Sequence, residues 1–156
     1  MNAREQKTLA DIERYGCSVM HVLPEGDLPP FAYSIGIQRS AGRPEVVAIG
    51  LKQPIAHFVV NEYNRRMQDG ERLIPGQLYG GFLEGFDVLV EQVDHQFYGD
   101  YFGWNLWLYG GHDFEVLQLV YPTTAGVWSW QKSASAWFRA WQPLLTSSPL
   151  SPGRYP

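Results

Sequence analysis

The side chains able to do chemistry are few in this chain, and their spacing sets narrow limits. Metal binding needs ligand atoms gathered within a few ångströms, and the sequence supplies four histidines and one cysteine for the purpose. Cys17 and His21 share a face of a β-like stretch, but four residues at about 3.3 Å each hold them about 13 Å apart, too far for one ion. Any other site would require Asp94, His95, His112 and Asp113 to converge through the fold. No metal and no cofactor is expected. Nucleophilic catalysis fares no better: Ser34 lacks the G-x-S-x-G elbow, and Cys17 lies in a stretch expected to be a buried strand. Asp113 and Glu115, two apart on an extended chain, would stand about 6.6 Å apart, a glycosidase-like separation that adjacent surface acids also show. The glycines of Tyr79-Gly80-Gly81-Phe82-Leu83-Glu84-Gly85 match neither a dinucleotide fingerprint nor a phosphate loop and read as turn glycines. His95 ends an acidic strand just before an aromatic run whose rings could wall a pocket.

The elements that would position these groups follow from periodicity. Leu9, Ile12 and Tyr15 recur at helical spacing, so residues 3–15 read as an amphipathic helix ended by Gly16. Residues 17–23 are β-like. Phe31, Tyr33, Ile35 and Ile37 alternate with Ala32, Ser34, Gly36 and Gln38, a strand with one bulky and one small face. The small face suits a helix packed on it, or a ligand. A turn at Ser40–Pro44 leads to a strand through Val47, Ile49 and Leu51, which makes residues 31–51 a hairpin. Pro54 fits the first turn of a helix with Ile55, Phe58, Val59, Tyr63 and Met67 as its core stripe, stopped at Asp69-Gly70. A loop with one short strand near Leu78 follows, then a half-buried strand over 86–93 and a central one over 114–121, apolar on both faces. Between these two, Phe97, Tyr101, Trp104 and Leu108 form one helical stripe, and Tyr98, Phe102 and Tyr109 a second beside it. Ser133 is a candidate cap for a helix carrying Trp137 and Trp141 at i,i+4.

The fold class that results is α+β: a mainly antiparallel sheet of about five to six strands, with barrel-like closure among its options, packed with three to four helices. Residues 1–146 read as one domain and 147–156 as a Ser/Pro-rich, flexible tail. With 45% hydrophobic and 18% charged residues the composition is that of a packed chain. A lone cysteine excludes an internal disulfide, and neither a signal core nor a bilayer-length apolar run is visible, so a cytoplasmic, membrane-free protein is expected. No Lys or Arg occurs between Arg72 and Lys132, whereas Glu84, Asp87, Glu91, Asp94, Asp100, Asp113 and Glu115 all lie there. Such a stretch argues against nucleic acid as a partner and favours a basic protein, although a solvated acidic face is the commoner reason for it.

The order of short motifs resembles a known family. Pro29-Pro30-Phe31-Ala32-Tyr33-Ser34-Ile35-Gly36, Gly42-Arg43-Pro44-Glu45, Gly50-Leu51, Pro75-Gly76, Tyr109-Gly110, Leu117-Gln118-Leu119-Val120, Trp128-Ser129-Trp130 and Gln142-Pro143-Leu144 together resemble the bacterial proteins grouped as domain of unknown function 4262. Ser129 departs from the pattern, where the family often has Pro. The resemblance implies a stand-alone bacterial domain and carries over no activity, cofactor or catalytic residue. At the level of fold alone, the 31–51 hairpin is also similar to those of flavin-binding split barrels.

Two functional expectations follow. The first is a non-catalytic protein- or ligand-binding domain, of the inhibitor or immunity type, whose acidic and aromatic surface over Glu91–Tyr109 meets a cationic partner; Asp94, Tyr98, Asp100 and Tyr109 are its candidate contacts. The second is a small-molecule enzyme or flavin-type cofactor binder with a pocket formed by Tyr33, Ser34, Gly36, His95 and the tryptophans of the tail, Trp128 and Trp130 singled out among Trp128, Trp130, Trp137 and Trp141. No catalytic residue is assigned in either, and the oligomeric state is left open.

Overall fold

The computed structural model describes residues 1–147; the expected tail lies, from residue 148 on, outside the described residues. α1 (Ala3–Tyr15) starts at a capping box in which the side chains of Asn2 and Glu5 each accept the other's backbone N–H, and Gly16 ends it at φ 90°. β1 (Ser18–Val22), β2 (Phe31–Ile35) and β3 (Glu45–Ile49) follow, with α2 (Ile37–Ala41) between the last two. The chain continues through α3 (Gln53–Gln68), β4 (Leu78–Leu83) and β5 (Phe86–Gln92). A 3-10 turn (His95–Phe97), α4 (Tyr98–Tyr101) and α5 (Gly103–Tyr109) lead to β6 (Val116–Val120) and α6 (Ala136–Trp141).

The six strands form one sheet in the order β1-β2-β3-β6-β5-β4. Every neighbouring pair is antiparallel except β3 and β6, which run parallel with Val46 opposite Leu117. The expected α+β class with a mainly antiparallel sheet holds. The barrel-like option does not, because β1 and β4 each pair with one neighbour and the sheet stays open. Six α-helices are present among the described residues rather than three or four.

Two of the extra helices come from segments whose local pattern misleads. The alternation from Phe31 to Gln38 reads as continuous strand, but Gly36 turns the chain at φ 103° and Ile37–Ala41 coils into α2. The aromatic run reads as one helix, yet Phe102, at φ −119° and ψ 44°, breaks it into α4 and α5. In the second stripe Tyr98 and Phe102 are fully buried and Tyr109 is partly buried, while Trp107, outside both stripes, is 36% exposed.

One face of the sheet packs on α3 and the other on the 97–109 segment. Ala32, Val46, Ala48, Leu117 and Leu119 meet Ala56, Val59, Val60, Tyr63 and Met67 of α3. Small residues on both sides, Ala32 and Ala48 against Ala56, let that helix approach closely. This register corrects the expected stripe: Ile55 and Phe58 point outward, 43% and 55% exposed. Opposite, Tyr33, Ile35, Val47, Ile49 and Val116 meet Tyr98, Phe102 and Phe114, with Ile12 of α1 in the same cluster. Trp128 and Trp130 cover Leu89 and Val120, which is why β5, expected to be half-buried, is buried on both faces from Val88 to Glu91. The cap of α6 is Ser135, not Ser133. Among the described residues no helix is long and apolar enough to cross a membrane.

Candidate functional site

The residues singled out by sequence fall into three places. Ser34, Gly36 and Tyr109 gather around Glu45, which is fully buried at the start of β3, while the neighbouring Tyr33 accepts from the Trp104 N–H at 3.3 Å. The Glu45 carboxylate accepts from Ser34 Oγ at 2.7 Å, from the backbone N–H groups of Gly36, Ile37 and Gln38 at 3.2, 3.0 and 3.0 Å, and from Tyr109 Oη at 2.5 Å. Burial pushes the carboxyl above its ordinary range, and these donors, Tyr109 foremost, pull it back. The Tyr109 phenol is itself raised by burial and then by the Glu45 charge. Gly36 is held close to α1, for a Cβ there would meet Ile12 at 2.6 Å. With its oxygens engaged and no face to solvent, Glu45 serves as a remote cap of α2 and not as a base for a substrate.

The second place is the rim of the 97–109 segment. Asp94 accepts from the Gln96 N–H at 2.9 Å and so caps the 3-10 turn. His95 is half exposed, 3.9 Å from Glu115, and stacks on Tyr98 with centroids 4.5 Å apart. Tyr98 is fully buried and donates to the Phe114 carbonyl at 2.8 Å, and Asp100 is exposed. The aromatic rings here are largely used in packing. The third place is the Trp128–Trp130 stack, centroids 5.1 Å apart, buried over β5 and β6. Among the described residues no group of three or more His, Cys, Asp or Glu is placed to hold a metal ion, and Cys17 is buried, its thiol pushed up to about 12 mainly by that burial.

A more apolar concave feature lies elsewhere. A cleft of about 570 Å³ opens beyond the carboxyl ends of the parallel pair β3 and β6. That is where open sheets with parallel strands commonly take ligands. Phe31, Leu51, Tyr121, Trp137, Phe138 and Trp141 supply its apolar walls, and His21, Gly50, Lys52 and Gln53 its polar points.

Its geometry is tightly specified. Tyr121 Oη donates to the Ile49 carbonyl at 2.7 Å, and Trp141 Nε1 donates to the Gly50 carbonyl at 3.0 Å, so the ends of β3, β6 and α6 are tied together. Only glycine fits at position 50: φ is 88°, and a Cβ would lie 2.6 Å from Tyr121 Oη and 2.8 Å from the Trp141 carbonyl. Trp137 stacks on Trp141 with centroids 5.4 Å apart and rings 18° from parallel, yet it stays 64% exposed at the rim. Opposite, His21 Nε2 and His57 Nδ1 are 2.9 Å apart, one ring donating to the other. Burial first, and then the neighbouring His57, hold His21 below the ordinary histidine value, so it is neutral at neutral pH.

Sequence reasoning saw the Trp137–Trp141 pair but not the cleft. Its walls come from β1, β2, β3, α3, β6 and α6, and no local spacing joins them.

Residues 11–135 match the family model described as a domain of unknown function (DUF4262). The match takes in the sheet and α3 and stops just before α6. No curated protein and no solved structure matches the chain.

Proposed function

The chain belongs to the DUF4262 family, and we propose that it is a non-catalytic binding domain whose ligand is a small molecule with a flat apolar body, held in the cleft between β3, β6 and α6. The observation that carries this reading is the cleft itself: about 570 Å³, walled by stacked and edge-on aromatic rings at the carboxyl ends of two parallel strands. An exposed tryptophan stacked on a second one, as Trp137 is on Trp141, costs hydration free energy in the empty state that a bound ring would recover.

The lining supports binding over nucleophilic or general-base chemistry. It holds no carboxylate and no Ser or Cys nucleophile beside a base, and its one imidazole is engaged with His57. Binding is the activity such a lining supports.

The neutral fluorophore N-phenyl-1-naphthylamine provides a test, since its emission rises in an apolar site. The reading expects saturable, one-to-one binding with a dissociation constant in the micromolar range. Trp137→Ala should weaken it about tenfold, as loss of one aromatic wall implies, and should leave the melting temperature almost unchanged because that ring is exposed. Absence of saturable binding, or binding indifferent to both Trp137→Ala and Leu51→Ser, would count against the cleft as a ligand site.

A further inference from the structure

The charges around the cleft go beyond its shape and select a class of ligand. The chain carries a formal net charge of −4, yet no Asp or Glu is among the residues lining the cleft, and with His21 neutral the one formal charge in that lining is the ammonium of Lys52. Lys52 has no ion-pair partner among the described residues. Several basic side chains elsewhere are taken up, Arg65 and Arg66 by Glu62, Arg43 by the carbonyls of Gly70 and Glu71, Arg139 by those of Ser129 and Gln131; Arg39, Arg72 and Lys132 also have no ion-pair partner among the described residues, so what sets Lys52 apart is its place in the cleft lining. An unengaged ammonium at the mouth of an apolar cleft in an acidic protein is an electrostatic complement waiting on a partner of opposite sign.

The backbone adds to this in the same direction. Lys52 is also the N-cap of the 16-residue α3, where no side chain accepts from the first turn and Pro54 occupies N2. Lys52, Gln53 and Ala56 of that first turn line the cleft, so the positive end of the helix dipole faces the same space as the ammonium.

We infer that the ligand of the cleft is an aromatic monoanion, its ring system between Phe31, Leu51, Trp137 and Trp141 and its carboxylate, sulfonate or phosphate beside Lys52 at the start of α3. This rests on the cleft being the ligand site. It adds the sign of the charge and the end of the cleft at which that charge sits.

A matched pair of probes separates the two claims. 1-Anilinonaphthalene-8-sulfonate has the same ring body as N-phenyl-1-naphthylamine plus one sulfonate. Titrations of the full chain at low salt should give the anion about tenfold tighter binding than the neutral probe, the scale of one charge-assisted contact. Lys52→Gln should remove most of that advantage, read as the ratio of the two probes' dissociation constants measured in the same variant. Raising the salt to 0.5 M should shrink the advantage in the native chain and hardly alter the variant. Equal affinity for the two probes, or an anion preference that survives Lys52→Gln, overturns the inference and leaves the apolar binding site standing. Failure of both probes to bind overturns the site and this inference together.

Discussion

A carboxylate without access to solvent is tolerable only where donors replace its water. Glu45 meets that condition with five of them: two hydroxyls and three N–H groups from the first turn of α2. The arrangement couples three parts of the chain, since Ser34 lies one residue before the end of β2, Gly36–Gln38 open α2, and Tyr109 ends α5. A neutral amide of the same size would turn an NH2 group toward donors that need an acceptor. Glu45→Gln should therefore destabilise the fold by about 2–4 kcal/mol, the cost of breaking a buried charged network. For a chain of this size the melting temperature would fall on the order of 10 °C, which calorimetry reads directly. A loss below about 0.5 kcal/mol would mean the carboxyl is held neutral and makes only one or two of these bonds.

At the scale of elements, α3 shows what pattern alone reveals and what it hides. Pro54 near the start, apolar residues at helical spacing and the stop at Asp69-Gly70 made the helix legible. Its orientation was legible only in part: Val59, Tyr63 and Met67 do face the sheet, but the bulky Ile55 and Phe58 look like core while the small Ala56 is the residue that turns inward. Which face turns inward depends on Ala32 and Ala48 across the interface. α2 was hidden for a related reason: its cap is Glu45, in the following strand, beyond the reach of any local signature. The cleft is the extreme case, since Gly50, Tyr121 and Trp141 meet only once three elements are assembled.

The outer face of α3 carries the clearest titrating group. Hydrogen bonds from Arg65 first, and then from Arg66, hold Glu62 down at about 2. Arg66 in turn donates to the Gly80 carbonyl at 2.7 Å and lies 4.0 Å over the Phe82 ring, so the cluster fastens α3 to the edge strand β4. A depressed carboxyl means the unfolded chain binds the extra proton. The stabilisation is complete above pH 4.5 and is lost as pH falls toward 2. Discounted for solvent screening it amounts to about 1 kcal/mol. Glu62→Gln should cost that amount at pH 7 and nothing near pH 2, flattening the acid limb of a stability–pH curve. A parallel downward shift at all pH values would assign the loss to packing instead.

For the molecule as a whole, the question is what keeps the last helix on a sheet with which it shares no strand pairing. The answer is a pair of buried glutamines that use their amides as backbone surrogates. Gln142 accepts from the Tyr121 N–H and donates to the Tyr121 carbonyl, both at 2.9 Å, as a neighbouring strand would. Gln118 of β6 donates to the Pro143 carbonyl and accepts from the Leu145 N–H, both at 2.9 Å, and the Asp94 N–H donates to the Leu145 carbonyl at 2.7 Å. Residues 142–145 are thereby laced along β6, and α6 is delivered to the mouth of the cleft. Replacing Gln142 with Leu keeps the volume and removes both bonds, leaving the Tyr121 N–H and carbonyl unpaired in the interior. The expected cost is about 2–3 kcal/mol. The effect should also be local before it is global: amides of residues 136–142 should exchange with solvent faster in hydrogen-exchange measurements, while those of α3 keep their protection. Affinity for N-phenyl-1-naphthylamine should drop with them, because Trp137 and Trp141 are then no longer held against Phe31 and Leu51. If exchange over α6 rises and probe binding does not change, the aromatic wall is dispensable and the ligand sits deeper, against Tyr121 and Gly50.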